Sequence, residues 1–164
     1  MRFVADAMVG TLAKWLRILG YDTCFDPDMD DHQLVRLARA EGRVLLTRDR
    51  ELARRPGLNA VFVTSQSLEA QIDQVLTELN LEPEHSFSRC PVCNEQLAEV
   101  DPEAARDRVP AYVARTQKSF RACPACRRVY WRGTHWQQMD RHLARILKGE
   151  LPSESYERAN KKTE

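Results

Sequence analysis

No apolar run in this 164-residue chain approaches the ~20 residues needed to cross a bilayer, which excludes a helical membrane span. The opening Met1-Arg2-Phe3-Val4-Ala5-Asp6 passes straight into a strand pattern without the apolar core of a secretory signal, so a cytoplasmic protein is expected. A secreted disulfide framework is missing as well: four of the five cysteines form two Cys-x-x-Cys pairs, and the fifth, Cys24, is left over. Beyond that duplicated pair nothing repeats, which excludes an array of structural repeats. Net charge is nearly absent too, at +1, but the sum hides an asymmetry. Residues 1–85 hold 10 Lys/Arg and 14 Asp/Glu, a balance of −4, whereas residues 86–164 hold 15 and 10, a balance of +5. An acidic site beside a basic platform is what a metal-dependent enzyme acting on a polyanion needs; two solvated surfaces would give the same totals.

What is present is a soluble, globular balance of 43% apolar and 30% charged residues, in a length that suits one ordinary domain and a small module. The strongest motif is the matched pair Cys90-Pro91-Val92-Cys93 and Cys123-Pro124-Ala125-Cys126. A two-residue gap lets a tight turn aim both sulfurs at one point, and two such turns make a tetrahedral thiolate cage for zinc. A redox pair or two disulfides are the alternatives, and the duplication favours zinc. The 29 residues between the pairs exceed the usual spacer, which implies a ribbon with an elaborated loop. Four thiolates fill the shell of Cys90, Cys93, Cys123 and Cys126, so this zinc is structural and any chemistry lies elsewhere.

Phe3-Val4-Ala5 reads as a strand ending at Asp6, and Leu12, Trp15, Leu16, Ile18 and Leu19 as a helix stopped by Gly20. Strands follow near Thr23-Cys24-Phe25, at Val44-Leu45-Leu46-Thr47 and at Ala60-Val61-Phe62-Val63. Between them lies a helix with Leu34, Leu37 and Ala38, N-capped by Asp30 or Asp31 and ended by Gly42; another, capped by Ser67, carries Ile72, Val75 and Leu79. This alternation predicts an α/β fold, a mostly parallel sheet flanked by helices over residues 1–81, whose order periodicity does not reveal. A polar connector leads to a four-cysteine zinc ribbon over 86–148, closed by a helix that a Thr134-x-x-Gln137 capping box opens, and then a polar tail over 149–164.

In parallel sheets, sites form beyond the carboxyl ends of the strands. Asp6 and Asp49 lie at two such ends, Asp31 begins a helix, and Glu51 follows two residues after Asp49. Carboxylates gathered together repel unless a divalent cation neutralises them, and hard oxygen ligands suit magnesium or manganese. Capping is the competing role for Asp6, Asp31 and Asp49, and ordinary surface charge for Glu51. A phosphatase-type reading is disfavoured, because Asp6 has no companion aspartate two residues on and the ribbon would go unexplained.

The ordered stretches Asp6-Ala7-Met8-Val9-Gly10-x-Leu12-Ala13-Lys14-Trp15-Leu16-Arg17, Leu19-Gly20-Tyr21-Asp22, Asp31-x-x-Leu34-x-x-x-Ala38 and Gly42-Arg43-Val44-Leu45-Leu46-Thr47-Arg48-Asp49-Arg50-Glu51-Leu52 resemble a PIN-like nuclease domain. With the two cysteine pairs and Tyr130-Trp131-Arg132-Gly133-Thr134-His135-Trp136, residues 1–147 are similar to the RNase domain at the C-terminus of Mut-seven-type exonucleases. The resemblance implies a PIN-like fold and cleavage of single-stranded RNA by divalent metal ions held at Asp6, Asp31 and Asp49. PIN relatives often have aspartate where this chain has Glu51, which makes Glu51 a supporting group.

Arg48 and Arg50 flank Asp49, so Arg48 is a candidate for phosphate binding or metal-site orientation, and Lys14 and Arg17, which share one helix face, are candidate phosphate contacts or a solvated face. Trp15 belongs to the core or a domain contact. Arg127, Arg128 and Arg132, interleaved with Tyr130, Trp131 and Trp136, could track an RNA backbone and stack bases, or the aromatics could fill the ribbon core. The expected function is a magnesium- or manganese-dependent endoribonuclease whose ribbon helps hold single-stranded RNA. The alternative is a non-catalytic RNA-binding or ribosome-associated adaptor.

Overall fold

The computed structural model describes residues 1–82, 86–133, 141 and 144–145. β1 (Arg2–Ala5) leads through a 3-10 turn (Ala7–Val9) into α1 (Gly10–Ile18), followed by β2 (Asp22–Phe25) and α2 (Asp31–Glu41). Then come β3 (Val44–Thr47), α3 (Arg50–Ala53), β4 (Ala60–Phe62) and α4 (Leu68–Glu78). The four strands form a parallel sheet in the order β2-β1-β3-β4, as expected of an α/β fold.

Strand periodicity sorts the core onto two faces. Phe3, Ala5, Val44 and Leu46 turn to one side, where Leu12, Trp15 and Leu16 of α1 and Ile72, Val75 and Leu76 of α4 cover them. Val4 and Leu45 turn to the other, against Leu34, Val35 and Ala38 of α2 and Leu52 of α3. Trp15 is thus a core residue and not a stacking platform. The chain leaves β1 over the first face and β3 over the second. These neighbouring strands part at their carboxyl ends, which opens a crevice between them.

Local signals act where the sequence placed them. Gly20, at φ 97°, closes α1 with bonds from its own N–H to Arg17 O (3.0 Å) and from Tyr21 N–H to Leu16 O (2.9 Å), the paired pattern of a Schellman end. Asp30, not Asp31, caps α2, in a reciprocal capping box with Gln33. Ser67 occupies the N-cap position of α4 without a side-chain capping bond.

The ribbon is a second sheet, antiparallel, of β5 (Ala98–Val100), β6 (Phe120–Ala122) and β7 (Val129–Trp131). Its loop holds α5 (Pro102–Ala105), a 3-10 turn (Arg106–Arg108) and α6 (Ala111–Thr116). Ala105, Val113 and Phe120 make a small core, with Trp131 at its margin. The halves are stitched together: Phe87 enters the first core, meets Tyr130 edge-on at 6.3 Å, and donates its N–H to Ile18 O at 2.7 Å. Both edges of the parallel sheet meet side-chain amides. On β2, Thr23 N–H goes to Asn94 Oδ1 at 3.0 Å; beyond β4, Gln74 bonds Phe62 O at 2.9 Å and Thr64 N–H at 3.1 Å. The expected closing helix with its capping box, His135, Trp136 and the tail lie outside the described residues.

Candidate functional site

Asp6 follows β1 directly and Asp49 lies two residues past β3, so both stand at the crevice where those strands part. Asp6 N–H donates to Leu46 O at 3.1 Å, carrying the β1–β3 pairing one step further. Thr47, wholly buried, links the two acids: its hydroxyl donates to Asp6 Oδ2 and accepts from Asp49 N–H at 2.9 Å. Asp6 is only 6% exposed and its Oδ1 accepts from Met8 N–H at 2.7 Å. Asp49 is exposed and caps α3 through Oδ1, which accepts from Glu51 N–H at 2.7 Å and Leu52 N–H at 3.1 Å. Capping and metal binding are compatible here, because a carboxylate has about four acceptor positions and the caps fill only some of them.

Asp31 and Glu51 are held differently. Asp31 is the first residue of α2, and its Oδ2 accepts from Arg55 Nη2 at 2.9 Å. Glu51 sits exposed in the first turn of α3. Thr47 therefore unites Asp6 with Asp49, while Asp31 is tied by Arg55 to the segment after α3. Among the described residues, the carboxylates form no group of three with ligand atoms within 4.8 Å of one another.

The cysteines do form such a group: Cys90, Cys93, Cys123 and Cys126 bring their sulfurs within 4.8 Å of one another. Each pair is built the same way. Cys90 N–H bonds Glu95 O (2.8 Å) and Asn94 N–H bonds Cys90 O (2.9 Å); Cys123 N–H bonds Arg128 O (2.9 Å) and Arg127 N–H bonds Cys123 O (2.9 Å). The residue after each second cysteine is left-handed, Asn94 at φ 68° and Arg127 at φ 61°. Sulfurs of a tetrahedral zinc–thiolate site lie about 3.8 Å apart, given Zn–S bonds near 2.3 Å. The 3.6 Å between Cys90 and Cys126 is close to that spacing, the 3.2 Å between Cys93 and Cys123 is tighter than it, and both are far too long for disulfides. A hydrogen bond with the Arg128 backbone leads the effects that lower the Cys126 thiol to about 6, whereas burial, then a hydrogen bond with Cys123, raises the Cys93 thiol. Tyr130 Oη lies 3.1 Å from Cys90 Sγ, and burial, then that sulfur, raise the phenol. The four cysteines could hold a metal such as zinc.

Compared with known families, residues 1–143 match the Mut7-C RNAse domain. The chain belongs to the Mut7-C family. The chain is also 36% identical over 101 residues to the human exonuclease mut-7 homolog, a match that covers 57% of this chain but 12% of that protein's length. No solved structure matches it.

Within this Mut7-C chain the expected cationic contacts separate. Lys14 is exposed on α1, Arg48 is half-buried beside Asp49, and Arg50 lies over the Phe62 ring at 5.2 Å. Arg127 and Arg128 are exposed on the second cysteine turn; Arg132 is exposed and lies over the Phe87 ring at 6.0 Å. Arg17 is a correction. It is 5% exposed, with Nε donating to Thr23 O at 2.8 Å and Nη1 to Pro91 O and Val92 O at 3.1 and 2.8 Å. A guanidinium committed to three carbonyls at a buried junction is a strut between the two halves, not a phosphate ligand. The relation of the halves also differs from an acidic site directly beside a basic platform. The ribbon docks on Arg17, Ile18, Asp22 and Thr23, toward the amino ends of the strands, whereas Asp6 and Asp49 lie at the carboxyl ends.

Thr47, Arg55 and Asn94 are the residues that reading the sequence passed over. Thr47 was visible as the Thr-x-Asp neighbour of Asp49, and Asn94 as the residue after a Cys-x-x-Cys, where a left-handed turn favours asparagine. Arg55 had no signal, since only the fold brings it to Asp31.

Proposed function

We propose that this chain is a magnesium- or manganese-dependent ribonuclease acting on single-stranded RNA in the cytoplasm. The reading rests on one observation above all: Asp6 and Asp49 share Thr47 at the β1–β3 crevice, in a chain of an RNase family. In this reading Asp6 and Asp49 bind the cation, Asp31 joins them on release from Arg55, and Glu51 supports. A divalent ion held there would supply charge neutralisation and acidify a water for in-line hydrolysis to a 3′-hydroxyl and a 5′-phosphate. Thr47 keeps the Asp6 carboxylate oriented by donating to it, and fixes the backbone of Asp49 from the other side. Lys14 and Arg48 meet phosphate near the crevice. The structural zinc of Cys90, Cys93, Cys123 and Cys126 shapes the ribbon, whose Arg127, Arg128 and Arg132 follow the RNA backbone.

The test is incubation of purified protein with a mixed RNA pool, with manganese or with chelator, beside an Asp49→Asn variant. Asp49→Asn keeps the shape of the cap and removes one negative ligand, so it should abolish cleavage and leave RNA binding intact. Cleavage at the parental rate by Asp49→Asn would move the chemistry to another site. A second reading, a non-catalytic RNA-binding or ribosome-associated adaptor, draws on the Asp31–Arg55 pair, which already neutralises one acid. RNA binding by the parent without cleavage under either metal would select it.

A further inference from the structure

A groove of about 450 Å³ opens in the ribbon between Phe87, the end of β5, the start of β6 and Arg132. That volume is within the ~300–1,000 Å³ of ligand sites. Its walls carry Lys118, Arg121 and Arg132 with the Ser119 hydroxyl, and its aromatic lining is Phe87 and Phe120. Among the described residues lining the groove, one carboxylate faces these cations: Glu99, whose side chain is 88% exposed and 3.8 Å from Arg121. The cations are placed by the fold. Arg121 Nη1 donates to Phe87 O at 2.7 Å, and Arg132 lies over the Phe87 ring.

We propose that this groove is a docking subsite for the phosphodiester backbone of single-stranded RNA, with Lys118 and Arg132 as its phosphate contacts. The choice of polymer rests on the ribonuclease reading; the groove itself rests on its shape and charge. A concave site holding an excess of cations around an aromatic lining suits a flexible strand better than a rigid duplex, whose phosphates cannot bend into it. The groove is remote from the carboxylates, because Phe87 is fastened to Ile18 at the far end of α1 while α1 begins beside Asp6. Nine helical residues rise about 14 Å at 1.5 Å each. A strand touching both places therefore has to span at least about 14 Å. The subsite anchors RNA at a distance from the bond to be cut.

The experiment is a salt titration of binding between the zinc-loaded full chain and a fluorescent 12-nucleotide single-stranded RNA, without added magnesium or manganese. Each phosphate contact to a single strand contributes a slope of about −0.7 in log K against log salt. Lys118→Gln should therefore flatten the slope by about 0.7, and Lys118→Gln with Arg132→Gln by about 1.4. Arg36→Gln on α2, with the same change in charge, should leave it unchanged. Zinc content and melting temperature establish that each variant is folded, and Lys118→Gln, at an exposed residue, serves alone if the double variant is not. An unaltered slope in Lys118→Gln, an equal loss in Arg36→Gln, or equal competition by polyglutamate would overturn the proposal. A parent that cleaves RNA while the groove variants bind normally refutes the groove alone. A groove-dependent slope in a parent that cleaves nothing supports the groove and refutes the nuclease.

Discussion

Arg17→Met would keep most of the buried side-chain volume and remove every donor. The three bonds from this guanidinium reach β2 and the first cysteine turn, so their loss is felt on both sides of the junction. Burial, the leading effect, lowers the guanidinium pKa, yet arginine stays charged at any ordinary pH. Hydrogen bonds from charged donors contribute about 1.5–3 kcal/mol each, so three give an upper figure of about 4.5–9 kcal/mol. Relief of the buried charge offsets part of this, leaving a net loss of roughly 3–5 kcal/mol. At about 2–4 °C per kcal/mol, the melting temperature should fall by some 6–20 °C. Circular dichroism during heating, with a chromogenic chelator reporting zinc, would read both halves together. Unfolding and zinc release should move down in step, and Arg17→Lys should recover one bond at most, since lysine offers a point charge in place of a fork. A Met variant that melts with the parent and holds zinc as tightly refutes the strut. One that keeps its melting temperature but loses RNA affinity would return Arg17 to phosphate binding.

Thr47→Val removes the hydroxyl between Asp6 and Asp49 at constant shape and should cost about 1–3 kcal/mol while weakening stabilisation by manganese, with Thr47→Ser restoring both; thermal shift with and without metal reads it. Gly10→Ala would set a Cβ 2.5 Å from Phe25 Cζ, so urea unfolding should show the ~1–3 kcal/mol of an overpacked core, relieved by Phe25→Leu. For Asp22, burial alone would raise the pKa, but hydrogen bonds from Arg43 and Asn94 outweigh it and the group sits below its ordinary 3.8. A depressed carboxylate stabilises the fold above its unfolded pKa and stops doing so as pH falls through the folded value. Ribbon docking should thus be insensitive to pH near neutrality and loosen only in strong acid, and Asp22→Asn should flatten that acid limb of a stability–pH curve. Arg127→Asn, which copies Asn94 at the equivalent left-handed position, should raise the melting temperature by relieving about 1 kcal/mol of backbone strain.

Much of this architecture was legible because its signals are local. Gly20 and Gly42 stop their helices, apolar alternation assigns Val4 and Leu45 to one face and Phe3 and Leu46 to the other, and Cys-x-x-Cys spacing announces its own turn. Asp6 and Asp49 could be placed at strand ends for the same reason. Strand order, which makes them neighbours, depends on which side each crossover takes, and that is settled by packing. Arg17 misled because its sequence surroundings are those of a solvated helix residue; the carbonyls that bury it come from Pro91 and Val92, more than 70 positions away. The docking end of the ribbon was hidden likewise, since charge totals carry no direction.

Thr23 has its N–H taken by Asn94 and its carbonyl by Arg17, so the β2 margin of the parallel sheet is sealed by the ribbon, whereas the β4 margin is sealed by Gln74 from within the same half. An open strand margin is a template for another chain. Loss of metal from the cysteines would release Asn94 and Arg17's partners together and expose one margin only. Two such chains can satisfy each other through identical β2 margins and then have none left to offer, because β4 stays covered. Metal starvation of this protein should therefore yield a self-limiting two-fold dimer, with growth into fibrils blocked by a single glutamine.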